Sequence, residues 1–185
     1  MKIIETPLKG LLIIEPSVFE DDRGYFFETF QQQRYFEAGI VSDFIQDNES
    51  KSDKGVVRGL HFQLEPYAQA KLVRVVQGAV YDVAVDLRKG SPTFGEWFGL
   101  ELNENSKKQL FIPSGFAHGF SVLSETAIFA YKVDNWYSPE HDSGISWSDP
   151  NLSIDWKILE EFTKSLIRFL NVTQLIDGNS SEDPT

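Results

Sequence analysis

Most of the chain reads as short runs of alternating apolar and polar residues, each a few positions long and broken by Gly, Pro, Asn or Ser. Runs of this length and period suit half-buried strands. Residues 10–15 and 24–30 are the first two, with "EDDRG" (20–24) as the turn before the second. Then follow "VVRGLHFQ" (56–63), "KLVRVVQG" (71–78), "AVYDVAVDLR" (79–88), "EWFGLEL" (96–102), "KQLFIP" (108–113), "HGFSVLS" (118–124) and "AIFAYKVDNWY" (127–137). That cadence predicts an all-β jelly roll, a barrel or sandwich of two sheets. "RYFEAG" (34–39) predicts one short helix ended by Gly39.

The period changes near the C-terminus. Leu159, Phe162, Leu166, Phe169 and Leu170 recur at helical spacing, with Glu160 and Lys164 as an i,i+4 pair on another face. The expected organisation is a jelly-roll domain over 1–157, an amphipathic helix over 158–176 packing on the barrel, and a disordered tail over 177–185.

Composition narrows the function classes. With 41% hydrophobic residues and 15 Phe, the 185-residue chain can bury one ordinary core. Lys plus Arg is 17 against 28 for Asp plus Glu, a net charge of −11, which argues against a broad surface for nucleic acid polymers or anionic membranes. An anionic ligand therefore needs a local basic pocket. No cysteine is present, so neither a disulfide framework nor a thiolate metal site is available, and a reducing compartment is the simpler expectation. "MKIIETPLKGLLIIEP" is broken by Glu5, Pro7, Lys9 and Glu15 before it reaches signal-peptide form, and no run approaches membrane-spanning length. A cytoplasmic location is expected.

Chemistry enters at "VVRGLHFQ". Val56, Val57, Leu60 and Phe62 suit a pleated surface, whereas Arg58, Gly59 and His61 do not. Strict alternation sets Arg58 and His61 on opposite faces. Both enter one barrel only if the strand bulges, and Gly59 is the residue that permits a bulge. In "YDVAVDLR", alternation puts Asp82, Ala84, Asp86 and Arg88 on one face, so Asp82 faces a polar lumen or solvent. Pro113, Gly115 and His118 have the spacing of a cupin motif, but the usual metal ligands are missing. His61 has Gly59 and Gln63 in place of a second histidine, and Lys71 stands where a glutamate is expected. An ammonium repels a cation and offers it no lone pair, so no metal and no other cofactor is expected. Taken singly, His61 reads as a satisfied half-buried histidine, Lys71 as an edge charge and Tyr131 as a sheet aromatic. Together with Arg58, Asp82 and His118 on strands of one barrel, they suggest acid/base chemistry.

Six stretches, "DDRGYFFETF", "FIQDNESKS", "VVRGLHFQ", "KLVRVVQGAVYDVAVDLRKGSPTFGEW", "FIPSGFAHGF" and "YSPEHDSGISWSDP", resemble the dTDP-4-dehydrorhamnose 3,5-epimerases, metal-free cupins of nucleotide-sugar synthesis. The resemblance spans residues 1–156 in unbroken order. It implies His61 as general base, Tyr131 as the acid on the opposite face, Lys71 as the cation beside the ketone oxygen, and Asp82 and His118 as a supporting pair. Arg23, Phe26, Glu28, Gln46, Asn48, Arg58, Gln63, Trp136 and Asp142 fall on substrate-binding positions. Of these, Arg23 and Glu28 are expected to reach the neighbouring site of a homodimer, Asp142 stands where a glutamate is frequent, and Trp136 where a tyrosine is common. The implied substrate is a dTDP-4-keto-6-deoxy sugar, inverted at C3 and C5. A single-position epimerase and a non-catalytic sugar-nucleotide-binding cupin are the alternatives. After Trp156 the sequence departs from the family, which usually continues with a proline and a Ser-x-Lys-Asp stretch whose aspartate orients the histidine base.

Overall fold

In the computed structural model, residues 1–158 and the pair 164–165 are described. The strands are β1 (Lys2–Glu5), β2 (Leu12–Glu15), β3 (Phe19–Asp21), β4 (Gly24–Phe26), β5 (Gln46–Asp53), β6 (Val56–Gln63) and β7 (Lys71–Gln77). They continue as β8 (Ala79–Asp86), β9 (Trp97–Asn103), β10 (Gln109–Ile112), β11 (Phe116–Val122), β12 (Thr126–Val133), β13 (Asp142–Gly144) and β14 (Lys164–Ser165), with one helix, α1 (Gln32–Glu37). One sheet runs β1-β2-β10-β7-β12-β5 and the facing sheet β13-β6-β11-β8-β9, with β14 also on β6 and β3-β4 forming a separate hairpin. This is the all-β jelly roll that the sequence predicts. Among the described residues no helix is long and apolar enough to cross a membrane.

Three apolar layers hold the sheets. Between them lie Val73, Val75, Val80, Ala84, Leu102, Leu110, Phe116, Phe120 and Phe129. The Phe120 and Phe129 rings stack at 4.3 Å, and burying a side chain such as Phe129 contributes on the order of 2 kcal/mol. Outside the second sheet, Val57, Leu60, Phe62, Val83, Val85 and Ala117 are covered by Ile145, Leu152 and Trp156. That cover is pinned by polar contacts: the Trp97 and Trp156 indole N–H groups donate to the Leu152 and Trp147 carbonyls, and Ser121 Oγ donates to the Trp156 carbonyl. Outside the first sheet, Tyr35 of α1 packs with Ile14, Ile40, Leu72 and Phe111 and donates its hydroxyl to Gln109.

The helix forms where "RYFEAG" predicts it. Gln31 caps its start by accepting from Arg34 N–H, and Gly39, at φ +87°, turns the chain away two residues beyond its end. The expected helix over 158–176 falls on residues outside those described, apart from 158 and the pair 164–165. At that pair the chain is extended, running parallel to β6 opposite Val56 and Val57, so it is not helical there. Val57 pairs with Ser121 of β11 on one side, and the extended pair supplies a ladder on its other side, which would otherwise be an open strand edge.

Candidate active site

The interior of the barrel is built around an interruption in β6. His61 pairs with His118 and Arg58 with Phe120, so three residues of β6 span two of β11. The inserted residue falls at Gly59–Leu60, and the outer cluster records it: Val57, Leu60 and Phe62 share one face, leaving Arg58 and His61 together on the other. Gly59 has φ +105°, and a Cβ there would sit 2.4 Å from the His118 carbonyl oxygen. Across the strand pair, a Cβ on Gly119 would lie 2.7 Å from the Arg58 carbonyl oxygen. Both side chains are excluded because the two backbones approach too closely.

A cavity of about 190 Å³ opens on this inner face, lined by Arg58, His61, Lys71, His118, Phe129 and Tyr131 among others. Lys71 Nζ lies 3.1 Å from His61 Nδ1, and Asp142 Oδ1 lies 2.7 Å from His61 Nε2. Behind them, His118 Nε2 meets both oxygens of the fully buried Asp82 at 3.0 Å. Asp82 therefore faces the interior rather than solvent. A larger hollow of about 360 Å³ lies on the outer face of the first sheet, around Asp47, Arg74 and Lys132, away from the imidazoles.

Burial is the main influence on the charges. It holds His61 well below the ordinary imidazole value, with Lys71 pushing the same way and Asp142 opposing. Lys71 is lowered to about 8 by burial, against the pull of Asp142 and Asp82. Burial raises the Tyr131 phenol above its usual value, with Arg58 opposing. Near neutral pH the cavity thus presents a neutral imidazole, an ammonium ready to release its proton and a phenol that keeps its own.

The other expected residues are distributed unevenly. Gln46 and Asn48 alternate with exposed neighbours on the inward side of β5, Asn48 pairing with Tyr131, and the Gln46 amide donates to Asn48 Oδ1 at 2.8 Å. Arg58 is steadied by Ser52 Oγ at 2.8 Å. Arg23, Phe26 and Glu28 do not line the cavity. Arg23 pairs with Asp21, Glu28 with Arg34, and Phe26 is 67% exposed on the β3–β4 hairpin. Trp136 is exposed on the loop before β13. The Gln63 amide is buried, donating to the Tyr67 and Trp136 carbonyls and accepting from Ser138 N–H, so it fastens the neighbouring loops.

Several participants escaped sequence reasoning. Ser50 lines the cavity, and Phe120 and Phe129 form its apolar floor. Tyr137 donates to Asp142 Oδ2 at 3.2 Å, on the far side of the carboxylate from His61. The period of "AIFAYKV" puts Phe129 beside Tyr131 on one face, but no local signal brings Asp142 to His61. That contact depends on β13 pairing with β6, with Gly144 opposite His61.

Isomerases that move protons within a cupin jelly roll are the class this fold and lumen define. The family model for dTDP-4-dehydrorhamnose 3,5-epimerase matches residues 5–170. A dTDP-4-dehydrorhamnose 3,5-epimerase of Shigella flexneri is 57% identical over 159 residues, covering 85% of this chain and 88% of that protein. One from Methanothermobacter thermautotrophicus is 54% identical over 157 residues, covering 85% and 84%. Among solved structures, the dTDP-6-deoxy-D-glucose-3,5-epimerase of Legionella pneumophila in complex with dTDP-4-keto-L-rhamnose superposes with a TM-score of 0.86 at 51% identity, over 89% of this chain and 87% of that one. A 3'-monoepimerase of Streptomyces bikiniensis in complex with dTDP-quinovose has a TM-score of 0.83 at 27% identity, over 93% and 88%. The chain belongs to the dTDP-4-dehydrorhamnose 3,5-epimerase family.

Proposed function

We propose that this protein epimerises dTDP-4-dehydro-6-deoxy-D-glucose at C3 and C5 to dTDP-4-dehydro-L-rhamnose. The observation that carries the proposal is the convergence of His61, Lys71 and Tyr131 on one cavity. C3 and C5 both flank the C4 ketone, and a proton on either is acidic only because the resulting anion spreads onto the ketone oxygen. Such a reaction needs a base, a charge at the oxygen and an acid on the other face.

His61 is neutral and removes the proton, becoming imidazolium as the C–H electron pair moves into the enolate. The Lys71 ammonium holds the enolate oxygen, where a cation in a buried site is more effective than in water. Tyr131 returns a proton to carbon from the opposite face, inverting the centre and leaving a phenolate that Arg58 stabilises. The Tyr131 proton is then restored from solvent and the His61 proton lost. Asp82 and His118 support the floor beneath Lys71. Repeating the cycle at the second carbon completes the product.

The nucleotide lies towards the rim. Gln46, Asn48 and Arg58 line one side of the approach to it, and Trp136 offers an exposed ring there for stacking a base. Phe19, Tyr25 and Phe26 are 67%, 56% and 67% exposed on the β3–β4 hairpin, an apolar arm suited to packing on a second copy. In a homodimer this arm carries Arg23 and Glu28 to the neighbouring nucleotide site.

The second reading, inversion at one carbon, is favoured by the likeness to the monoepimerase. Turnover of the 4-keto nucleotide sugar in heavy water separates the two. Deuterium and inversion at both C3 and C5 are expected. Deuterium confined to one carbon supports the monoepimerase, and no turnover by folded protein overturns both.

A further inference from the structure

We propose that Asp142 is the positioning carboxylate of this proton-transfer site: it holds His61 through Nε2–H, so that Nδ1 is the atom that receives the substrate proton. The inference rests on the epimerase function above and goes beyond a substrate contact for Asp142.

The geometry comes from the short β13. Asp142 pairs with Gln63 and Gly144 with His61, so Asp142 and Gly144 present the same face. Gly144 has no side chain to stand opposite the imidazole. The ring therefore reaches its diagonal neighbour, and Asp142 Oδ1 lies 2.7 Å from Nε2. The second oxygen, Oδ2, accepts from Tyr137 OH at 3.2 Å, which fixes the plane of the carboxylate. Other carboxylates in this region have partners elsewhere. Asp82 is engaged with His118, and Asp155, the nearest aspartate to the departure after Trp156, pairs with Lys157.

A carboxylate accepts and does not donate, so the nitrogen facing it must carry the proton. The lone pair then lies on Nδ1, 3.1 Å from Lys71 Nζ, which donates to it in the resting site. When substrate binds, the ketone oxygen takes over the ammonium and releases that lone pair towards the adjacent C–H. As Nδ1 gains the proton, Asp142 stabilises the imidazolium across the ring. The groups facing the imidazole are Lys71 from β7, His118 from β11 with Asp82 of β8 behind it, Arg58 of its own strand and Tyr131 from β12. Asp142 from β13 completes the set, and among the described residues its carboxylate is the one placed at Nε2.

The test combines nitrogen NMR with kinetics on the full chain. Protein with ¹⁵N-labelled histidine, the His61 signals assigned by His61→Gln, is compared with Asp142→Asn and Asp142→Ala near neutral pH. Wild type should show protonated Nε2 and bare Nδ1. Asp142→Asn, whose amide oxygen still accepts, should keep that tautomer, whereas Asp142→Ala should mix the two. Both should lose at least about a hundredfold in kcat for the 4-keto nucleotide sugar with little change in KM, because the charge that supports the imidazolium is gone. Asp142→Glu should recover most of the rate. The proposal is overturned if wild-type His61 carries its proton on Nδ1, if Asp142→Ala keeps wild-type tautomer and kcat, or if it raises KM alone. Wild type without turnover would defeat the epimerase assignment instead, and the tautomer measurement would still decide the role of Asp142.

Discussion

Arg58 and His61 are three residues apart on β6, yet both face the same cavity, because three residues of that strand span two of β11 between them. Without the extra residue one of the two would lie in the outer layer with Val57 and Leu60. Placement of the base is therefore a property of the backbone at Gly59.

Gly59→Ala tests this directly. The added Cβ would meet the His118 carbonyl oxygen at 2.4 Å with φ at +105°. We expect destabilisation of about 1–3 kcal/mol or more in denaturant unfolding. Folded variant should also lose roughly a hundredfold in turnover, since displacement of a catalytic group by about 1 Å costs that much. Wild-type stability and rate in this variant would show that the bulge does not set the base.

Lys71 is expected to act on the enolate rather than on the nucleotide phosphates. Lys71→Gln keeps a hydrogen-bond donor and removes the charge. Deuterium exchange at saturating substrate should fall by on the order of a hundredfold, the scale of losing one oxyanion donor. A raised KM with unchanged exchange at saturation would make Lys71 a phosphate anchor.

The pH dependence follows from the same pair. His61 must be neutral, and burial lowers its proton affinity, so kcat/KM should hold as pH falls through 6.5 and decline only further down. Lys71 must be charged, and its value is lowered to about 8, so activity should fall as pH rises through about 8. In Lys71→Gln the alkaline limb should disappear from the residual activity. An acid limb centred at 6.5 in wild type would mean that burial does not depress His61.

The barrel was legible because most of its strands bury one apolar face, and the chemistry of β6 was legible because Arg58, Gly59 and His61 interrupt that pattern. β5 shows the limit. Its inward residues, Gln46, Asn48, Ser50 and Ser52, are polar, so "QDNESKSD" carries no hydrophobic period even though it forms an eight-residue strand. Family resemblance, not alternation, pointed to Gln46 and Asn48. Gln63 too came from the resemblance, and the loop carbonyls its amide reaches, those of Tyr67 and Trp136, are four and 73 residues away in sequence, the second beyond any local pattern. Asp142 likewise depends on a strand register that no local pattern encodes.

Arg23 provides a test of subunit exchange. Its side chain is on the exposed β3–β4 turn, paired with Asp21, and does not line the cavity that holds His61. Arg23→Ala and His61→Ala homodimers should each be poorly active, but mixing them should restore activity, since one site of the hybrid combines an intact His61 with the partner's intact Arg23. Absence of rescue in a verified hybrid would assign Arg23 to its own subunit or to no site.

The most direct measurement of the central claim, that His61 is the base for both inversions, is hydrogen exchange by folded His61→Ala in heavy water, followed by NMR at C3 and C5. We predict a loss of about two to four powers of ten at both carbons. Tyr131→Phe, measured alongside, should retain more proton removal than completed inversion. Exchange by His61→Ala at close to the wild-type rate at either carbon would contradict the account.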